Sequence, residues 1–352
     1  MDRREKAASA NTSAEAWKAT TSRFLLLISS VSALRVTPTS IIHSRRVAAV
    51  RMSSSWEDLS RSYDGFIFDQ FGVMHNGAVA LEGAPELIAK LAGSGKKLGI
   101  LSNSSKRKEF SLKELPKMGF NAEHFAAGAV TTSGEEAWHA LAAGWSGKTC
   151  LWISKADGAG VSDYLDGTGV GLAGVEAADF ILASGTNVIR DGASVSCVDT
   201  EQTGDLAPFE QPFARAIERG LPMICANPDF VSPPKPGKLT TYQPGTLAAD
   251  YEAKGGRVIY FGKPHKEHFE ACVAGLGLPK ERVAHVGDSM HHDVVGAVAA
   301  GVPVIFVAGG IEHEQLGISP GELPSAEALS ALCEAFGARP THTVALARWG
   351  AG

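Results

Sequence analysis

The chain has 352 residues, 44% of them hydrophobic and 20% charged, and a net charge of −5. That balance suits a globular protein with room for two domains and excludes a fibrous or wholly disordered chain. Residues 1–51 hold nine Lys/Arg against three acids, which leaves 24 basic and 35 acidic residues in the remainder. An acidic body excludes nucleic acid as the main partner, because backbone-phosphate contact needs a basic face. Five dispersed cysteines (Cys150, Cys197, Cys225, Cys272, Cys333), with no CxxC pair, read as reduced thiols and not as a disulfide framework.

The first 55 residues are rich in Ser, Thr, Ala and Arg and poor in acids, the composition of a transit peptide. Phe24–Leu34 within them is an apolar run far shorter than the roughly 18–20 residues of a membrane span, so no span is expected. A short apolar core followed by an Arg/Ser stretch through Arg51 resembles the plastid import signals of some algae. The expectation is an organellar, plastid-directed leader, with plastid ahead of mitochondrion. The alternatives are a disordered tail, or sequence upstream of a start at Met52 that would leave the protein cytoplasmic.

Order is expected from Trp56. Tyr63–Phe68 reads as a β-type run ending at Asp69, and a helix follows over Ala84–Gly93, opened by Pro85 in its first turn. Leu98–Leu101 reads as a buried strand and Lys106–Met118 as a charged helix. Strand and helix alternating in this way predict an α/β fold with a parallel sheet. The middle alternates differently, with strands over Cys150–Ile153, Phe180–Leu182 and Met223–Cys225, and a Pro-rich surface loop over Pro233–Gly237. The first pattern then resumes with Arg257–Phe261, a helix near His265–Leu276, Val283–Val286, a helix near Val294–Ala300, and Val302–Val307.

Four segments place polar groups just past apolar strands, where an open parallel sheet has its binding crevice. They contain Asp69, Ser102 with Asn103, Lys263, and Asp288 with Asp293. A carboxylate such as Asp69 can attack phosphorus and form a covalent intermediate that water hydrolyses. Lys263 supplies positive charge, and a hard cation held by Asp69 and Asp288 supplies more. Ser102 and Asn103 can donate to phosphoryl oxygens, and Asp293 can cap the following helix or orient Lys263. Each segment alone has a plain reading as a turn or cap; the four in order carry the signal. Two other matches fail. Gly169–Gly174 fits GxGxxG but leads into a strand, and Gly147-Lys-Thr149 lacks the first glycine of a phosphate loop.

These segments resemble the four motifs of the haloacid-dehalogenase superfamily. Thr131–Glu135, Ala178–Leu182, Ala226–Asp229 and Tyr260–Pro264 are similar to its NagD-like, nitrophenyl-phosphatase-like class, whose α/β cap lies between the second and third motifs. The resemblance, over Trp56–Val307, implies a Rossmann-like core from 59–133 and 250–340 and an inserted cap over 134–249. It further implies Mg²⁺ and hydrolysis of a small phosphorylated metabolite through a phospho-aspartate. On that basis Asp69 is the nucleophile, Ser102 and Lys263 bind phosphate, and Asn103, Gly72 and His75 lie on the substrate side. Asp69, Asp288, Asp293 and the Phe71 carbonyl hold the metal. A homodimer is left open.

The departure is Phe71, which stands where the family's phosphatases carry the acid/base aspartate. Such catalysis contributes on the order of 10²–10⁴ in rate, so alkyl phosphates are expected to be poor substrates. His75, in Val73-Met-His-Asn-Gly77, is the nearest replacement acid, weighed against a solvent-exposed turn residue. The alternatives to hydrolysis are a weakly catalytic phosphometabolite-binding protein and, third, a dehalogenase, although dehalogenases do without the metal that Asp288 and Asp293 suit.

Overall fold

The computed structural model describes residues 51–52, 55–156, 163–232 and 241–350. The expected Pro233–Gly237 loop and almost all of the expected leader lie outside the described residues. The end of that leader does not: Arg51–Met52 is a strand, and Ser55 caps the first helix by accepting from the Asp58 amide at 3.2 Å. Residues 51, 52 and 55, which the expected leader includes, therefore belong to the described secondary structure.

In chain order the first strands are β1 (Arg51–Met52), β2 (Gly65–Phe68), β3 (Lys97–Ser102) and β4 (Phe125–Thr132). The middle supplies β5 (Thr149–Ser154), β6 (Gly171–Leu172), β7 (Phe180–Ala183), β8 (Val188–Asp191), β9 (Ser194–Cys197) and β10 (Pro222–Cys225). Then come β11 (Val231–Ser232), β12 (Thr241–Tyr242), β13 (Arg257–Tyr260), β14 (Val283–Gly287), β15 (Val304–Val307) and β16 (His342–Val344). Leaving out single-turn pieces, the helices among the described residues are α1 (Trp56–Ser62), α2 (Ala84–Gly93), α3 (Lys108–Glu114), α4 (Ser133–Gly144), α5 (Glu210–Glu218), α6 (Pro244–Ala253), α7 (Lys266–Leu276), α8 (Val295–Ala300) and α9 (Ala326–Phe336).

The first sheet has the order β1-β16-β15-β14-β2-β3-β4, and every pairing in it is parallel. Strand order reverses between β2 and β14, which makes their carboxyl ends the expected crevice. The strand β2 shows why the sheet is buried on both faces. Phe66 and Phe68 turn to a layer that holds Trp56, Leu87 and Leu91 from α1 and α2. Ile67 turns the other way, to Phe269 and Cys272 of α7 and Ala297 of α8. A strand covered on both sides reads as a continuous apolar run, as Gly65–Phe68 does.

The second sheet runs β13-β10-β7-β5-β8-β9, with β6 beside β5. Its first four strands are parallel, and β8 and β9 close it as an antiparallel pair. Here the structure departs from the expected ranges. Arg257–Tyr260 pairs with Pro222–Cys225, and Leu247, Ala248 and Tyr251 of α6 pack with Leu151, Ile181 and Met223. Residues 250–260 thus belong with the second sheet and not with the 250–340 segment, because their apolar faces are satisfied there. The expected helix over Lys106–Met118 is shorter, since α3 starts after Arg107 and tightens into a 3₁₀ turn at Pro116.

Trp56 is fully buried, stacks on Phe68, and donates its indole N–H to the Leu346 carbonyl at 3.0 Å. It joins the start of the described body to its far end. Trp56→Ala is expected to cost about 3–5 kcal/mol of stability through the cavity and the lost bond. Urea unfolding would read this as a lower midpoint with an unchanged slope; a loss below about 1 kcal/mol would mean that α1 is not anchored by this residue.

Candidate active site

Asp69 follows β2 directly, and its amide N–H donates to the Val286 carbonyl at 2.8 Å, which ties it to the end of β14. One carboxylate oxygen, Oδ1, lies 2.8 Å from the Lys263 ammonium, and the same ammonium lies 2.7 Å from Asp293 Oδ1. Lys263 is 2% exposed and Asp293 fully buried. Asp288, just past β14, accepts from the Ile311 amide at 2.8 Å. Oxygen atoms of Asp69, Asp288 and Asp293 all lie within 4.8 Å of one another.

Two glycines make that approach feasible. Gly72 adopts φ 76°, and a Cβ there would strike the Asp288 carboxylate; a Cβ at Gly310 would strike it as well. The Gly72 N–H donates to the His75 carbonyl, so Gly72 gives Asp288 space and does not offer its N–H to a substrate. That corrects its expected binding role.

The electrostatics are those of too many carboxylates for one cation. Burial raises Asp69 to about 7, against the opposing pull of Lys263. Burial and the nearby Asp69 charge raise Asp288 well above the usual range. Burial alone would raise Asp293 too, but Lys263 and His285 outweigh it and hold it ionised. The neighbouring His291 and His292 are pushed down to about 4 by burial, so they add no charge near neutrality. Three converging oxygens around uncompensated negative charge fit a hard divalent cation. Asp69 and Asp288 present the donors, while Asp293 commits Oδ1 to Lys263 and His285 and accepts the Ser289 amide on Oδ2. Of the two placements considered for Asp293, it is not the helix cap, and it does lie on Lys263. Ser289 is the cap, and Asp293 sits within a π-helical turn that aims it back into the site.

Asn103 differs from expectation as well. Its amide donates to Asp229 Oδ1 at 2.7 Å and to the Lys263 carbonyl at 3.2 Å, while its oxygen accepts the Lys263 amide at 2.8 Å. With both amide hydrogens committed, the side chain clamps the Lys263 peptide and has no donor left for phosphate. Ser102, at the end of β3, is 2% exposed and lines the pocket, as expected. Asp229 was not foreseen. It enters from the chain that follows β10 of the second sheet, and burial raises it to about 6.

Phe71 and His75 both line the pocket, which has a volume of about 570 Å³. Their rings meet edge-on with centroids 5.0 Å apart. His75 is 5% exposed, which rules out the solvent-exposed turn residue. Its Nδ1 accepts from the Gly77 amide at 3.1 Å, so a neutral ring carries its hydrogen on Nε2. The far wall brings Asn227, Ser232, Thr241 and Gln243 from the second sheet and the short β11–β12 ribbon.

Family models for haloacid dehalogenase-like hydrolases match residues 66–171 and 215–301. Human Chronophin is 28% identical over 71% of this chain and 82% of its own length. An acid sugar phosphatase of Staphylococcus saprophyticus is 23% identical over 72% of this chain and 90% of its own. The crystal structure of a haloacid dehalogenase-like hydrolase from Brucella suis 1330 superimposes with a TM-score of 0.66 at 22% identity, covering 84% of this chain and 99% of that one. The matching models flank and enter both sheets, and the four motif segments converge at one crevice of the parallel sheet. The chain belongs to the haloacid-dehalogenase superfamily of hydrolases.

Proposed function

We propose that the protein is a metal-dependent phosphatase of a small phosphorylated compound, with Asp69 as nucleophile and the second sheet as its cap. The carrying observation is the buried Asp69–Lys263–Asp293 chain with Asp288 beside it, at the carboxyl ends of β2 and β14. The acid sugar phosphatase among the relatives supports the substrate class. A divalent cation such as Mg²⁺, held by Asp69, Asp288 and the Phe71 carbonyl while Asp293 keeps Lys263 beside them, would supply the charge that lets a phosphate approach a carboxylate.

In this reading Lys263 and the Ser102 hydroxyl hold the phosphoryl oxygens, and the Asp69 oxygen not bound to Lys263 attacks phosphorus. The new bond is P–O(Asp69). The ester P–O bond breaks and its electron pair leaves on the substrate oxygen. Water then attacks the same phosphorus, the P–O(Asp69) bond breaks, and inorganic phosphate and the free carboxylate result. Phe71 can neither protonate the leaving oxygen nor activate that water. The favoured substrates are therefore those whose leaving group departs unprotonated, such as an acyl phosphate or an aryl phosphate. Phe71 is also the one observation that favours the second reading, a phosphometabolite-binding protein with weak turnover.

Phosphate release from a panel of metabolites, with Mg²⁺ and with EDTA, tests the reading directly; no release from any compound would overturn it. Asp69→Asn keeps the shape and removes the nucleophile, so turnover should vanish while the circular dichroism spectrum and melting curve stay native. Turnover persisting in that variant would show that Asp69 forms no covalent bond.

Metal binding has a readout without catalysis. Mg²⁺ at about 100 times its Kd should stabilise the fold by roughly 2.7 kcal/mol. Asp288 is raised in the fold above its unfolded value, so its ionisation costs stability at neutral pH. Asp288→Asn should therefore raise the metal-free melting temperature at pH 7 and abolish the Mg²⁺ response. An undiminished Mg²⁺ shift in that variant would remove Asp288 from the ligand set.

If Phe71 only fills the place of a missing acid, Phe71→Asp should raise kcat/KM on alkyl phosphates. The gain is bounded by roughly 10²–10⁴ and falls short of it because the surroundings were not shaped for a carboxylate. The wild type should lose rate steeply as leaving-group pKa rises, and the variant less so. A flat wild-type dependence would mean that another acid, His75 first among them, already protonates the leaving oxygen.

A further inference from the structure

His285 belongs to the apolar strand β14, two residues before the crevice, and its side chain is fully buried. Its Nε2 lies 2.7 Å from Asp293 Oδ1, the same oxygen that receives the Lys263 ammonium at 2.7 Å. Asp293 is ionised and can only accept, so the imidazole donates here and Nε2 carries the hydrogen. The bonds run in one chain: His285 donates to Asp293, which accepts Lys263, which donates to Asp69. Each member but Asp69 is at most 2% exposed. A Cβ at Gly287 would strike Asp293, so the carboxylate is seated against bare backbone. The edge of the imidazole meets Phe269 of α7 with ring centroids 5.0 Å apart, which sets the plane of the ring.

We propose that His285 is a positioning residue, which fixes the Asp293 carboxylate so that Lys263 stays aimed at the nucleophile. The alternative is that it only fills space beside Phe269. Without its donor, Asp293 would keep the Ser289 amide and Lys263 but could rotate about its own bonds, and the ammonium would follow it. The inference rests on the proposed phosphatase reading for its kinetic arm only.

The test compares His285→Met with His285→Gln, side chains of similar length and volume in which only Gln can donate to Asp293. A packing defect is common to both; a lost donor is not. With the full chain, kcat on an aryl phosphate should fall about tenfold or more in His285→Met, with KM moved far less, and His285→Gln should recover most of it. A second arm needs no turnover: limited amine acylation read by mass spectrometry. Lys263 should be protected in the wild type and in His285→Gln and labelled faster in His285→Met. The circular dichroism spectrum and melting curve of each variant serve as the unfolding control. If His285→Met does not fold, His285→Leu takes its place. Equal labelling of Lys263 in all three proteins, or a loss of kcat that Gln does not recover, would overturn the inference. A wild type inert towards every phosphate compound would overturn the phosphatase reading, while the labelling arm would still decide the role of His285.

Discussion

The Lys263 ammonium lies buried between Asp69 and Asp293, and most of the architecture follows from supplying it with partners. Removing a lone cation from water costs several kcal/mol unless opposite charge and hydrogen bonds meet it in good geometry. No single stretch of chain can do that. The peptide of Lys263 is clamped by Asn103 from the end of β3, and its charge is met by Asp69 after β2 and Asp293 after β14. A parallel sheet delivers all three strand ends to one edge, and the reversal between β2 and β14 opens that edge into a crevice. The surplus negative charge left over is what makes the place suit a divalent cation.

Much of this was legible before any coordinates. Asp69, Ser102 and Asp288 each follow an apolar run that could only be a buried strand, and one crevice is the natural destination for such residues. What could not be read has physical reasons. Arg257–Tyr260 has the same apolar character whichever sheet it joins, and its partner Pro222–Cys225 is a matter of long-range pairing, not of local pattern. Asn103 carries donors that suit phosphate, and only the packed structure reveals that the Lys263 peptide and Asp229 claim them first. His285 looked like one more residue of a strand. Its signal was faint but present: a polar side chain inside the run Val283-Ala-His-Val-Gly287, where every neighbour is apolar. A buried polar group in such a run must have a partner.

Phe71 and Asp229 reach the same pocket from different sheets. The Phe71 ring meets His75 edge-on in the pocket lining. The Asp229 carboxylate reaches in from the second sheet and is held by Asn103 and, at 3.5 Å, by His292. The inserted segment therefore contributes residues to the crevice itself.

The neighbours β2 and β14 are far apart along the chain: Asp64 and Arg282, which pair just before them, are separated by 218 residues. On a ribosome adding about 5–20 residues per second, Asp69 emerges roughly 10–40 s before Asp288 does. Throughout that interval the carboxylate has no lysine to meet and no second aspartate with which to hold a cation. The whole inserted sheet is made in the meantime and can pack on its own apolar residues. A chain that stops short of β14 bears the Asp69 carboxylate on the end of an unfinished sheet, exposed and ordinary. The crevice is thus assembled by the last third of synthesis, and an incomplete product cannot present it.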